Sequence, residues 1–246
     1  MKYAIPSFKR PKQVREKTLR YLKSHNIDEK DIFLFIRDDD ENRDEYLQLR
    51  DDGYNVIIAY GVVGIGKTHN FITAYFDEGD FICEIDDDLA MINDNKRLPI
   101  ENLSDTINEM VKIMEEKNIN YGGTYQCNNP LWMSSNDNYT YDLRYMLGLF
   151  RVRRIVKDIF LETNYAEDFE NCILYYIRDG SILKNNWIAG RTKNYADGGC
   201  DGDGRNIETE KADKVFLSEK YPNHCKLIQR KNGRWDLRLK DKTHLD

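Results

Sequence analysis

Three short stretches hold the side chains best suited to chemistry. The first is Ile82-Cys83-Glu84-Ile85 running into Asp86-Asp87-Asp88. Side chains of an extended chain alternate with period two, so Asp86 and Asp88 fall on one side. Two hard oxygen ligands with open positions suit Mg²⁺ or Mn²⁺ bound together with a diphosphate. Three carboxylates in a row repel one another, and a cation relieves that repulsion. The plain alternative is a solvated acidic turn. The second stretch is Gly61-Val62-Val63-Gly64-Ile65-Gly66-Lys67-Thr68, which matches G-x-x-x-x-G-K-[ST] between a strand and a helix. As a P-loop it would put backbone amides and Lys67 on phosphates and Thr68 on magnesium. Against this, two strand–helix units precede it, the next helix is short, and nothing downstream reads as an arginine finger or a base-binding motif. The third is Glu167-Asp168-Phe169-Glu170, at the start of a helix after a loop. A hydroxyl is a poor nucleophile until a carboxylate takes its proton, and a helix N-terminus favours the ionised form. Asp168 is preferred to Glu167 for that task; a cluster of capping acids is the alternative.

The elements that must position these residues alternate in the first half. Tyr3–Ile5 reads as a strand ending in Pro6-Ser7, followed by an amphipathic helix over Gln13–Ser24. Asp31–Ile36 and Tyr54–Tyr60 are continuous apolar runs, as expected of strands covered on both faces, and Asp38–Leu49 becomes helical between them. A helix at Thr68–Phe76 leads to a fourth strand, Phe81–Ile85. Strand–helix alternation predicts a mainly parallel, doubly wound α/β sheet, with ligands at the carboxyl ends of its strands. The second half predicts a helix at Leu103–Lys117, strands at Tyr121–Gln126, Leu143–Val152 and Trp187–Gly190, and helices at Phe169–Asp179 and Glu208–Lys220. A hairpin turning at Asn232-Gly233 follows. The expected organisation is one domain over residues 1–246, with a nucleotide half (1–100) and a smaller α+β acceptor half (101–246).

The chain has 246 residues, 33% of them charged, and a net charge of −6. Mean hydropathy is −0.73. The apolar stretch Val56–Ile65 is too short to span a bilayer, which takes about 20 residues. The N-terminus lacks the apolar segment of a signal peptide. Five dispersed cysteines without a CxxC pair fit reduced thiols rather than a disulfide framework. The expected location is the cytoplasm, with no membrane partner. The charge is uneven: residues 38–52 carry a net −6 and residues 77–88 a net −7, leaving the remainder at +7.

The order of these parts resembles the GT-A glycosyltransferase nucleotide-sugar domain over Met1–Leu89. The resemblance implies a metal-dependent enzyme that moves a sugar from a nucleoside-diphosphate donor to a hydroxyl. It implies that the loop Pro6-Ser7-Phe8-Lys9-Arg10 cradles the nucleoside and that Asp38 or Asp39 meets base or ribose. It also implies that Lys67 and Asn70 face the donor, although His69-Asn70 stands where the family more often has Arg-Asn. Asp86, Asp87 and Asp88 would touch ribose and metal, His224 is a candidate third metal ligand, and Asp168 or Glu167 would be the base of an inverting enzyme. Inside that fold the chain looks most like the TET-associated glycosyltransferases of phages and large DNA viruses. The features are the short core, the Glu-Asp helix, Gly198-Gly199 with Gly204-Arg205, and a basic C-terminal hairpin. That likeness implies a hydroxymethylated pyrimidine in DNA as acceptor and, for a phage or viral protein, the host cytoplasm. Its physical support is basic and aromatic residues. Arg144, Arg151, Arg153, Arg154 and Lys157, with Lys226, Arg230, Lys231, Arg234, Arg238 and Lys240, could take phosphates. Tyr125, Trp132 or Trp187 could wall an extruded base. A glycan or protein acceptor and a P-loop kinase built on Gly61–Thr68 remain the alternatives. Cys200 with His224-Cys225 matches no zinc spacing, and His244 has no context.

Overall fold

The computed structural model describes residues 1–133, 137–192, 199 and 203–240. Gly198, Cys200 and His244 lie outside the described residues. In chain order the elements are β1 (Lys2–Ser7), α1 (Pro11–Val14), a π-turn (Arg15–Leu19), α2 (Arg20–Ser24), β2 (Ile32–Arg37), α3 (Arg43–Leu47), β3 (Asn55–Ala59), α4 (Ile65–Tyr75), β4 (Phe81–Ile85) and β5 (Met91–Asp94). Then come α5 (Leu103–Lys117), β6 (Tyr121–Tyr125), α6 (Pro130–Met133), β7 (Tyr139–Thr140), β8 (Phe150–Arg154), α7 (Glu167–Asp179), β9 (Leu183–Arg191), α8 (Ile207–Lys220), β10 (Cys225–Gln229) and β11 (Trp235–Leu239).

Nine strands form one mixed sheet in the order β3-β2-β1-β4-β8-β6-β9-β5, with β7 added on β9. β3, β2, β1 and β4 are parallel, whereas β8 runs antiparallel to both β4 and β6. The chain winds one way from β1 to β3 and then crosses to the other side of β1 for β4. That reversal is a topological switch point, where the carboxyl ends of the strands leave a crevice. The crevice is widened because β1 and β4 pair only from Lys2 to Ala4. Pro6, which has no N–H to give, sits where that ladder has already opened.

The apolar runs in β1, β2 and β4 build one continuous core under the helices, including Ile5, Leu34, Ile36, Cys83 and Ile85. A second cluster joins α7, α8 and the β10–β11 hairpin through Tyr175, Leu217, Leu237 and Leu239. Tyr121 and Tyr175 stack with ring centroids 4.8 Å apart, tying β6 to α7. No helix among the described residues is long and apolar enough to cross a membrane.

Several expected boundaries move for identifiable reasons. Residues 143–149 are not strand: β8 begins at Phe150. Leu143 and Met146 are buried in the second cluster, so their spacing reflects packing rather than strand alternation. The helix expected at 38–49 shrinks to α3 plus a 3-10 turn at Gln48–Arg50. Asp40 instead organises the turn before it, accepting hydrogen bonds from the amides of Lys9 and Asn42. β5 was not expected; it fills the far edge of the sheet beside β9.

Candidate active site

A cavity of about 770 Å³ opens over the crevice. It is lined by Pro6, Ser7, Arg10, Asp86, Asp87 and Asp88 on one side and by Tyr145, Glu167 and Asp168 on the other. Ser7 ends β1, and its Oγ donates to Asp87 Oδ2 at 2.6 Å while meeting the Tyr46 hydroxyl at 2.7 Å. Arg10 Nη1 stands 3.3 Å from Asp87 Oδ1 and 4.0 Å from Asp88 Oδ2. Asp87 is thus held by protein groups. Asp86 has no such holder: burial, then the charge of Asp88, pushes its carboxyl up to about 8 despite the opposing pull of Arg151. Burial pushes Asp87 up to about 6 even against Arg10 and Ser7.

Asp168 faces these acids from the first turn of α7. Its Oδ2 accepts from the Tyr145 hydroxyl at 3.4 Å, and its Oδ1 lies 3.5 Å from Arg151 Nη1. Gly148 makes this approach possible, since a Cβ there would stand 2.3 Å from Asp168 Oδ1. Burial, then the neighbouring Asp168, raises Glu167 well above the usual carboxylate range. Asp168, unlike Glu167, lies beside a guanidinium.

That guanidinium belongs to a buried ion cluster beneath the floor. Register places Arg151 of β8 opposite Glu84 of β4. Arg151 Nε donates to Glu84 Oε1 at 3.0 Å, and Arg153 Nε to Oε2 at 2.8 Å. Burial opposes the charge on Glu84, but Arg151 and Arg153 overcome it and hold the carboxyl well below its usual range. Burial and Arg151 lower the pKa of His69, so its ring is neutral. Because Arg151 Nη2 can only donate, His69 Nε2 accepts at 2.7 Å and Nδ1 donates to Glu84 at 2.5 Å. Two guanidiniums on one carboxylate leave a surplus positive charge, and Arg151 presents it to Asp168.

The expected site residues divide sharply. Pro6, Ser7, Arg10, Asp86, Asp87, Asp88, Glu167 and Asp168 line one cavity. Asp38 accepts from the Gly61 amide at 3.2 Å, and Asp39 pairs with Arg37 at the rim. The lining residue there is Arg37, which lies over the Phe8 ring at 4.0 Å and pairs with Asp203 at 2.6 Å. Lys9 is held in a left-handed backbone conformation (φ 58°), and its side chain pairs with Glu41 rather than lining the cavity. Asn70 is a structural clamp, donating to the Leu161 carbonyl at 2.8 Å and accepting from its amide at 2.9 Å. His224 packs against Tyr176 away from the cavity lining. Arg153 is buried on Glu84 and Thr73, and Arg154 pairs with Glu115, so neither lines the cavity. Trp132 and Trp187 are exposed outside the cavity lining, and Tyr125 lines a smaller recess.

The Gly61–Thr68 turn reaches the cavity edge through Gly64, Ile65 and Thr68, but its glycines are packed on their other side. Gly64 takes φ 96° and caps α4, and Asn164 Oδ1 would lie 2.3 Å from a Cβ on it. A Cβ on Gly66 would stand 1.9 Å from the Thr163 carbonyl. The 163–164 segment packs against Gly64 and Gly66, Thr68 Oγ1 donates back to the Gly64 carbonyl, and Lys67 is exposed outside the cavity lining. Gly64 and Gly66 serve close packing, whereas Gly61 takes a left-handed backbone with φ 66°.

Arg37, Tyr46 and Tyr145 were not singled out as site residues, and Arg151 was expected only among basic residues that could take phosphates. Arg151 had a legible signal: Glu84 is an isolated charge inside the apolar β4, and such a charge is paired when buried.

Among the described residues, no three His, Cys, Asp or Glu side chains converge to hold a metal by themselves. The donor set fits a different mode. Mg²⁺ and Mn²⁺ are commonly held by one or two carboxylates, with substrate phosphates and water completing the shell. Asp86 and Asp88, whose charges oppose one another with no lysine or arginine at bonding distance from Asp86, have that character.

No family model matches the sequence, and no curated protein matches it. Solved structures do. The chain resembles residues 1–349 of Staphylococcus aureus TarS in complex with UDP-GlcNAc, with a TM-score of 0.60 and 15% identity, over 90% of this chain and 67% of that one. It covers 58% of another TarS 1–349 structure, with a TM-score of 0.52 and 18% identity. It also resembles glucosyl-3-phosphoglycerate synthase from Mycobacterium tuberculosis, in complex with Mn²⁺, UDP-glucose and phosphoglyceric acid. There the TM-score is 0.56 and the identity 14%, over 99% of this chain and 89% of that one. The chain has the GT-A fold of these glycosyltransferases.

Proposed function

We propose that the protein is a metal-dependent, Leloir-type glycosyltransferase, moving a sugar from a nucleoside diphosphate to a hydroxyl acceptor. One observation carries this reading. The Asp86–Asp88 floor and the Asp168 carboxylate face each other across a single cavity at the switch point of a GT-A sheet. Mn²⁺ and UDP-sugars in the similar structures support the same reading.

Asp86 and Asp88 would hold Mn²⁺ or Mg²⁺ with the donor diphosphate. When bound, the cation neutralises charge on the leaving diphosphate. Arg10 positions Asp87 and Asp88, and Ser7 fixes Asp87. Asp168 takes the proton from the acceptor hydroxyl as its oxygen bonds to the sugar's anomeric carbon and the bond to the diphosphate breaks. Arg151 pairs with Asp168 at 3.5 Å, and Tyr145 orients it. A base on the face opposite the leaving group gives inversion.

The finer reading takes a hydroxymethylated pyrimidine in DNA as acceptor. Its support is the basic wall formed by Arg230, Arg234, Trp235 and Arg238 of the hairpin. Arg151 and Arg153 no longer contribute to it, because both are buried.

The test is incubation with a panel of nucleotide sugars and Mn²⁺, first without acceptor and then with hydroxymethylated DNA, plain DNA and glycans, followed by mass spectrometry. Donor cleavage that disappears in Asp88→Ala is expected. Absence of cleavage or transfer with every donor sinks the glycosyltransferase reading. A mass gain on a glycan with none on DNA reverses the choice of acceptor.

A further inference from the structure

A recess of about 150 Å³ opens beside the main cavity and shares Gln126, Arg144 and Tyr145 with it. At its base is Lys184, near the start of β9 and only 4% exposed. Its ammonium donates to Gln126 Oε1 at 2.5 Å and to the Tyr145 carbonyl at 2.9 Å, and it lies 4.4 Å from the centroid of the Tyr125 ring. All three partners are neutral. Among the described residues no Asp or Glu lines the recess, whereas a second cation, Arg144, does.

A buried ammonium without a carboxylate is costly, and an apolar strut would fill the same space without the charge. Burial, reinforced by Arg144, lowers Lys184 to about 8, which expresses the same cost. The recess holds the volume of about five waters at roughly 30 Å³ each, enough for a phosphate or carboxylate group but too small for a nucleoside. Its position is specific. The Tyr145 carbonyl accepts from Lys184 while the hydroxyl of the same residue reaches Asp168. An anionic group docked on Lys184 would therefore hold the rest of its molecule against the proposed base.

We propose that this recess is a binding subsite for an oxyanion, a phosphate or a carboxylate, carried by the acceptor. The assignment to the acceptor rests on the glycosyltransferase reading; the anion site itself does not. Charge-assisted hydrogen bonds from Lys184 and Arg144 would fix the anion. The acceptor hydroxyl would then be delivered to Asp168 at a set distance from it.

The test titrates inorganic phosphate, and separately acetate, into the full chain by calorimetry, with saturating UDP and Mg²⁺ filling the donor end. Lys184→Met keeps the side-chain length and removes the charge. Gln126→Glu places a carboxylate beside the ammonium. Wild type should bind one phosphate or acetate, and the tighter of the two identifies the class of anion. Each variant should weaken that binding at least tenfold, and Gln126→Glu should also raise the Tm. No binding by wild type, or equal binding by both variants, overturns the subsite. Should Lys184→Met fail to fold, Gln126→Glu decides the matter by itself. Hydrolysis of a nucleotide sugar by wild type is measured in parallel. A wild type that binds phosphate but cleaves no nucleotide sugar would refute the enzyme reading and leave the anion site standing.

Discussion

The turns after β3 and β4 both follow parallel strands, β3 a half-buried edge and β4 buried, and each matches a phosphate-linked motif letter for letter. Both reach the same cavity, the first through Gly64, Ile65 and Thr68, but their packing differs. The Gly61–Thr68 turn is packed by the 163–164 segment, whose Thr163 carbonyl would lie 1.9 Å from a Cβ on Gly66. The Asp86–Asp88 turn opens on a cavity of about 770 Å³. A motif records the conformations a backbone can adopt and the groups it carries. What the next segment of chain does with the space in front decides whether those groups meet a ligand. Here the segment from the β8–α7 loop into the first turn of α7 packs the first turn with Thr163 and Asn164 and brings Asp168 to the second.

The largest effects should come from the open turn. Asp168→Asn keeps the shape of the side chain and removes the base, so transfer should fall by about 10²–10⁴-fold with the fold intact. Asp88→Ala should cost a similar factor by withdrawing a ligand from the cation, worth several kcal/mol at the transition state. Transfer rates with saturating donor are the measurement. A loss of less than tenfold in both variants would leave the open turn without the role given to it.

Gly66→Ala tests the closed turn. If the glycine is there for packing, the new methyl group collides with backbone. Such overpacking costs about 1–3 kcal/mol, or roughly 2–10 °C in Tm for a chain of this size. A phosphate cradle predicts the reverse: an unchanged Tm and a lost nucleotide. Thermal melts with and without ATP separate the two.

The difference between the turns also explains what could be read from sequence. β4 and α5 were expected at Phe81–Ile85 and Leu103–Lys117, where they occur, because apolar periodicity there coincides with burial. The Asp86–Asp88 floor was legible because strand alternation is local. Asn70 and Arg153 were not, because their partners lie far along the chain: Leu161 is 91 residues from Asn70, and Glu84 is 69 from Arg153. The spacing Lys67 to Asn70 reads equally well as donor contacts and as an exposed side chain beside a clamp. Trp132 and Trp187 were attractive as aromatic walls, but ring size carries no information about which face a ring occupies.

Divalent cation should affect the open turn in a pH-dependent way. Asp86 rises from 3.8 to about 8 on folding, so the folded state binds the extra proton. That contribution to stability is full below about pH 4 and is lost as pH climbs towards 8. A cation at Asp86 restores what the proton no longer supplies. Millimolar Mn²⁺ should therefore raise the Tm more at pH 8 than at pH 5, by a few degrees, and the difference should shrink in Asp86→Asn. An Mn²⁺ effect of equal size in the variant would place the cation elsewhere.

The smallest effect separates the two turns most cleanly. Lys67 sits at the position where a P-loop lysine would meet phosphate, yet here it is exposed and outside the cavity lining. A surface substitution away from caps, cores and networks usually changes stability by no more than about 0.5 kcal/mol. Lys67→Ala should shift the Tm by no more than about 1–2 °C and leave the transfer rate within about twofold of wild type. In a kinase built on this motif the same change would remove the cation holding the β- and γ-phosphates and abolish turnover. Because the expected outcome is near zero, it is read beside Asp88→Ala in the same assay. If the lysine variant loses activity as the aspartate variant does, Lys67 faces substrate after all, and the packing of residues 163–164 must open to let it.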